Sequence, residues 1–125
     1  MTVGQKTIIV VEDEQDAADM SAEMKRVNGF RVLKAAGSKL AMSMIDEEKP
    51  AAVILDIMMP DISGLEVLRH IHRKPGLAKI PVIVVSAKSL PADIKTGLEA
   101  GASIYLTKPV GYLDLKKAVE KVFGA

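Results

Sequence analysis

Cysteine and tryptophan are absent from this 125-residue chain, and its only aromatic residues are two tyrosines and two phenylalanines. Without cysteine there are no disulfides and no thiolate metal site. An excess of either charge is missing too: 17 Lys plus Arg stand against 16 Asp plus Glu, a formal net charge of +1. That balance provides no electrostatic footprint for nucleic acid or for an anionic membrane. Long hydrophobic runs are also lacking. The opening MTVGQKTIIVVEDE has only a short apolar run that ends in acids, unlike a signal peptide or a spanning helix. The expectation is a cytoplasmic protein. With 49% hydrophobic residues, the chain can build one core. Its length suits a single domain over 1–125, with a core from about 6 to 123.

What is present is an alternation of short apolar runs with amphipathic stretches. The runs are TIIVV (7–11), RVLKA (31–35), AVILD (52–56), PVIVVS (81–86) and SIYLT (103–107). Their length and β-branched content favour buried strands. The central ones lack polar alternation, as parallel strands covered on both faces do. Helical stripes lie between them. Ala17, Met20, Met24 and Val27 form the first, with Gly29 placed to end it. Ser38 is read as the cap of a second helix carrying Ala41, Met44 and Ile45 inward, closed by Pro50. Leu65, Leu68 and Ile71 mark the third, and Leu115, Ala118, Val119 and Val122 the last. The segment from Pro91 to Gly101 is the poorest, with Gly97 inside it and mainly Ile94 and Leu98 for packing. Five strands alternating with five helices predict a doubly wound parallel α/β sheet with right-handed crossovers.

In such a sheet, ligands sit outside the carboxyl ends of the strands. Glu12-Asp13-Glu14 end the first strand, Asp56 the third, Ser86 the fourth and Thr107-Lys108-Pro109 the fifth. Taken singly, each has a plain structural use. Glu12-Asp13 suits a helix cap, Asp56 a turn, Ser86 a cap, and Lys108 a solvated surface. Together they make a coherent chemistry. Clustered carboxylates call for a hard cation, and Mg²⁺ takes a few carboxylates, a carbonyl and waters. Lys108 and Ser86 then suit an anion beside the metal. A phosphoryl group fits, since aspartate can accept one covalently and its transfer needs mainly positioning and charge neutralisation.

The motifs IIVVEDE, VILDIMMPDISG, VIVVSA and GASIYLTKP, spaced over nearly the whole chain, resemble the receiver domain of bacterial two-component response regulators, as in the single-domain chemotaxis regulator. The resemblance implies a flavodoxin-like sheet of strand order 2-1-3-4-5. It implies that Asp56 is the phosphoacceptor, served by a sensor histidine kinase or a phosphotransfer protein. Mg²⁺ would be held by Asp13 directly, by Glu12 largely through water, by Asp56, and by the backbone carbonyl of Met58. Lys108 would pair with the phosphoryl oxygens, Ser86 would turn its hydroxyl toward them, and Tyr105 would change rotamer on activation. The Lys108-Pro109 bond would be cis. Glu12 and Ser86 stand where many members carry aspartate and threonine, and Val110 where many carry phenylalanine. By the same resemblance, Met58 and Lys88 would occupy positions that help set the lifetime of the acyl phosphate in this family.

Such a domain is a switch rather than an enzyme with its own substrate. The added phosphate charge would draw Ser86 and Lys108 toward Asp56 and shift the following helix. The surface of the fourth helix, fifth strand and fifth helix would then control binding of a downstream protein, with a phosphorylation-dependent homodimer among the outcomes and no direct nucleic-acid or membrane contact. Tyr112, spaced with Leu115 and Val119, reads as core edge, the methionines as core filler, and His70 and His72 as surface histidines. Two other functions compete. A haloacid-dehalogenase-type phosphohydrolase also forms an aspartyl phosphate, but its acid–base aspartate would fall at Met58, and 125 residues leave little room for a cap. A flavodoxin-like flavin carrier would need a Ser/Thr/Gly-rich loop after the first strand, where this chain has acids.

Overall fold

The apolar runs fold as β1 (Lys6–Glu12), β2 (Phe30–Ala36), β3 (Ala52–Asp56), β4 (Val82–Ser86) and β5 (Ile104–Thr107). The helices are α1 (Met20–Lys25), α2 (Ser38–Glu48), α3 (Gly64–Arg73), α4 (Pro91–Glu99) and α5 (Tyr112–Val122). This computed structural model describes residues 5–13 and 19–124; the strand-end acid Glu14 and the stripe position Ala17 lie outside the described residues. All strands are parallel in the order β2-β1-β3-β4-β5, the order expected above.

The middle strands explain why the sheet is covered on both faces. Every residue of β3 and β4 is buried, as are Ile8 to Glu12 of β1. Alternate residues point to opposite faces. Ile9, Val11, Val53, Leu55, Val82 and Val84 meet Ala41 and Ile45 of α2 and Val67, Leu68 and Ile71 of α3. Ile8, Val10, Ile54, Ile83 and Val85 meet Met20 and Met24 of α1 and Leu115, Ala118 and Val119 of α5. Each fully buried aliphatic side chain stabilises the fold by about 1.5–3 kcal/mol, so this double layer is the main source of stability.

Two local expectations are corrected. Ser38 does not cap α2 with its own side chain. It is the first helical residue, Gly37 is the N-cap, and the carboxylate of Asp61 receives the Ser38 and Lys39 N–H groups, both at 3.1 Å. A helix N-terminus needs acceptors from somewhere, and here the loop after β3 supplies them. In α4, Leu98 is exposed rather than packed, and Gly97 is the buried residue. The reason is close approach: a Cβ on Gly97 would lie 2.8 Å from the ring of Tyr105. Gly64 is tighter still, since its Cβ would meet the Asp56 carbonyl oxygen and Ile57 Cα at 2.6 Å.

Among the methionines, Met20 and Met24 are core and Met42, Met44 and Met59 pack at its edge, but Met58 is 54% exposed. His70 is bound to Asp46 at 2.7 Å and His72 to the carbonyl of Gly101 at 2.9 Å. Tyr112 packs against the α1–α5 layer, with Arg26 over its ring at 4.6 Å.

The glycine contacts make a graded test. Gly64→Ala pushes against backbone that cannot yield, so its loss in urea denaturation falls at or above the top of the about 1–3 kcal/mol expected for overpacking. Gly97→Ala meets a side chain that can move and costs less. Gly76→Ala, with open space around it, stays within about 0.5 kcal/mol of wild type.

Candidate functional site

Strand register sets the site. Val11 is level with Leu55, Asp56 with Val85, and Ser86 with Thr107, so the residues that follow emerge on one edge of the sheet. Asp56 is 2% exposed there, the last residue of a strand whose hydrophobic neighbours bury it. Its charge is compensated. Lys108 Nζ donates to Asp56 Oδ2 at 2.7 Å, and the Met58 N–H donates to Oδ1 at 3.0 Å. The backbone holds Lys108 in reach, since its N–H donates to the carbonyl of Ser86 at 2.8 Å, and the Lys108-Pro109 peptide is cis. Removing the lysine would take the counter-charge from a buried carboxylate, a destabilising change.

Ser86 is fully buried, and its hydroxyl oxygen accepts from the Lys88 N–H at 3.1 Å. Lys88 is linked in turn to Tyr105, whose hydroxyl donates to the Lys88 carbonyl at 2.8 Å. The loop after β4 therefore touches both the phosphoryl-site candidate Ser86 and the switch candidate Tyr105. Beside Asp56 opens a cleft of about 480 Å³ lined by Asp13, Met58, Pro60, Ser63 and Lys88.

Glu12 is placed differently. It is 1% exposed, and its two oxygens accept from the Met20 and Ser21 N–H groups at 2.9 and 3.1 Å. It therefore binds the start of α1, with Lys34 Nζ 4.0 Å away. Burial pushes its carboxyl above the ordinary range, against the opposing pull of those N–H groups. Among the described residues, no group of three or more acidic or histidine side chains gathers around one point as a metal cage would. The arrangement instead provides Asp13 and Met58 in the lining of the cleft, with the Asp56 carboxylate buried next to it. That donor set suits Mg²⁺, which takes one or two carboxylates and keeps several waters.

Sequence reasoning missed Asp61. Its carboxylate binds α2, and the Ser38, Ile62 and Lys39 N–H groups hold its carboxyl below the ordinary value. The sequence marks only an acid in PDISG; its partners lie 22 and 23 residues away.

Comparison with known proteins then identifies the chain. The response regulator receiver domain model matches residues 8–120. The chain belongs to this family. The receiver is 38% identical over 112 residues to the uncharacterized transcriptional regulatory protein YrkP of Bacillus subtilis, covering 90% of this chain and 47% of that one. It thus spans about half the length of that relative. Among solved structures, a CheY-like response regulator receiver domain protein of Methanospirillum hungatei superposes with a TM-score of 0.83 at 28% identity, covering 97% of this chain and 96% of that one. The receiver domain of the sensor histidine kinase PA1611 of Pseudomonas aeruginosa gives 0.84 at 25%, covering 98% and 100%, and that protein has a magnesium ion coordinated in its active-site cleft. The function is accordingly that of a receiver domain, a phosphorylation-activated switch of two-component signalling. The haloacid-dehalogenase-type alternative finds no support in these relatives. Among the described residues, no helix is long and apolar enough to cross a membrane.

A pH dependence follows from Asp19, the N-cap of α1. The Ser21 hydroxyl and the Ala22 N–H hold its carboxyl at about 2, below the ordinary 3.8. A depressed folded value means that its stabilisation is complete above the unfolded value and is lost as pH falls from about 4 toward 2. Asp19→Asn keeps a capping oxygen but does not titrate. In urea titrations its deficit relative to the wild-type receiver shrinks over that window, while near neutral pH it changes little.

Proposed function

We propose that Asp56 is the phosphoacceptor of this receiver and takes its phosphoryl group from a phosphohistidine on a sensor histidine kinase or a phosphotransfer protein. The observation that supports this most is the pairing of the buried Asp56 with the partly exposed Lys108 at the carboxyl edge of the sheet, beside an open cleft. In the transfer, a carboxylate oxygen of Asp56 bonds to phosphorus. The bond from phosphorus to the donor imidazole nitrogen breaks, and that nitrogen keeps the electron pair. Lys108 moves its charge from the carboxylate to the phosphoryl oxygens. Ser86, whose oxygen already accepts from Lys88, turns its hydroxyl hydrogen to the same group.

Mg²⁺, when bound, neutralises charge on the transferring group. Asp13, Asp56 and the Met58 carbonyl would hold it. Glu12 would act through water, in keeping with its engagement by α1. The chain has no substrate of its own beyond this phosphoryl exchange. Its cellular setting is cytoplasmic, where kinase catalytic domains present their phosphohistidine.

The output runs through the α4–β5–α5 surface to a downstream protein, with phosphorylation-dependent pairing of two receivers as one form of it and no direct nucleic-acid contact. Movement of Ser86 toward the phosphoryl group pulls on Lys88, and through the Lys88 carbonyl on Tyr105, which rests on Gly97 of α4. The mainly exposed side chains of α4 oppose such a shift weakly.

Asp56→Asn is expected to abolish labelling by acetyl phosphate and the spectral response to beryllofluoride; retention of both refutes the phosphoacceptor role. Asp13→Ala is expected to lose most Mg²⁺ affinity by calorimetry. Unchanged magnesium binding contradicts the donor set.

A further inference from the structure

Asp61 lies in the loop joining β3 to α3, five residues beyond Asp56, yet its carboxylate serves another element. Oδ1 accepts from the Ser38 N–H and Oδ2 from the Lys39 N–H, both at 3.1 Å. A third bond runs the opposite way: the hydroxyl of the fully buried Ser38 donates to the Ile62 carbonyl at 2.6 Å. The loop is thus clamped to the N-terminus of α2 by three hydrogen bonds through two consecutive loop residues. The loop's own turns add local bonds: Met58 N–H donates to Asp56 Oδ1 at 3.0 Å, and the Met59 and Gly64 N–H groups donate to the Ile57 carbonyl at 3.1 and 2.8 Å. Met58, Met59 and Pro60 of this loop line the cleft beside Asp56. A second cleft, lined by Asp13, Gly37, Met59, Pro60 and Asp61, continues from it toward α2.

We infer that Asp61 is a positioning residue of the phosphoryl site. It holds the Met58–Pro60 main chain against α2, so that the Met58 carbonyl is set for the cation before the cation arrives. Asp61 contributes no ligand; it acts through the loop. The inference rests on the Mg²⁺ donor set proposed above. A bidentate carboxylate on two main-chain N–H groups suits this task, because it fixes both the position and the rotation of the loop. Pre-set ligands spare the ordering cost that a loose loop would incur on binding.

The test uses the intact chain and compares Asp61→Ala and Asp61→Asn with Asp46→Ala. Asp46 lies further along α2 and binds His70 and Lys74 of the neighbouring helix region, so its loss weakens α2 packing without touching the loop. Two measurements are made well below the unfolding temperature: Mg²⁺ affinity by calorimetry, and amide hydrogen exchange at Met58 and Met59 in metal-free protein. Asp61→Ala is expected to weaken Mg²⁺ binding by about tenfold, the low end for residues that support metal ligands from outside the coordination sphere. It should also accelerate exchange at both amides. Asp61→Asn, with one accepting oxygen, should fall between it and wild type, and Asp46→Ala should move neither.

Wild-type Mg²⁺ affinity and unchanged Met58 and Met59 exchange in Asp61→Ala overturn the inference, as does an equal effect of Asp46→Ala. If Asp61→Ala does not fold, the same criteria apply to Asp61→Asn. Wild-type protein that binds no Mg²⁺ refutes the donor set itself and the inference with it. That outcome is distinct from a wild-type protein that binds Mg²⁺ and an Asp61 variant that binds it equally well.

Discussion

A buried carboxylate cannot stay ionised without a counter-charge, and the contact between Asp56 and Lys108 meets that requirement at the open edge of the sheet. The partners come from β3 and from the residue after β5, with β4 between them. The pair therefore requires three strands in register, and the Ser86 carbonyl that holds the Lys108 N–H belongs to the middle one. The same burial that makes the pair necessary also makes it responsive. In a low-dielectric setting, a new charge on Asp56 changes the forces on Lys108 and Ser86 far more than it would in water. A receiver domain exploits that sensitivity.

Acidic side chains at this edge divide the work between helix ends and the site. Glu12 and Asp61 each bind two N–H groups at the start of a helix to which they do not belong, α1 and α2 respectively. The favourable field of a helix N-terminus explains why carboxylates settle there. Asp13 lines the cleft instead, and Asp56 is buried at the strand end beside it, paired with Lys108. Consequently, the loops that carry the chemistry are tied to helices on both faces of the sheet. Among the described residues every buried side-chain nitrogen and oxygen has a partner, so the site stores no unsatisfied polar group to drive motion. Its response has to come from rearranging bonds already made.

The α4 segment is where such rearrangement meets least resistance. Gly97 is its one buried residue, and Tyr105 occupies the space that a larger side chain would fill. In composition Gly97 looked like a weakness of the helix. In the fold it is a close contact that brings the ring of Tyr105 to the helix and its hydroxyl to the Lys88 carbonyl. The low helix propensity of glycine and its packing value are both real, and only the neighbour decides which matters.

The sequence by itself determined the strands, their parallel arrangement and the set of chemical groups at the carboxyl edge, while the strand order followed from the family resemblance of its motifs. Its signals there are local: continuous β-branched runs, helical stripes between them, and Asp56, Ser86 and Lys108 at the ends of AVILD, PVIVVS and SIYLT. Tertiary structure decided how those groups are spent. Ser38 looked like a cap because caps are read from neighbouring residues, but Asp61, 22 or more residues along the chain, is the acceptor. Glu12 reads as one of the acids that end the first strand, and the N–H groups at the start of α1 engage both its oxygens. Leu98 fits a helical stripe, yet faces outward because Gly97 meets Tyr105. In each case the deciding partner is distant in sequence. A hydrogen bond or a van der Waals contact across that distance leaves no periodic or local trace in the chain.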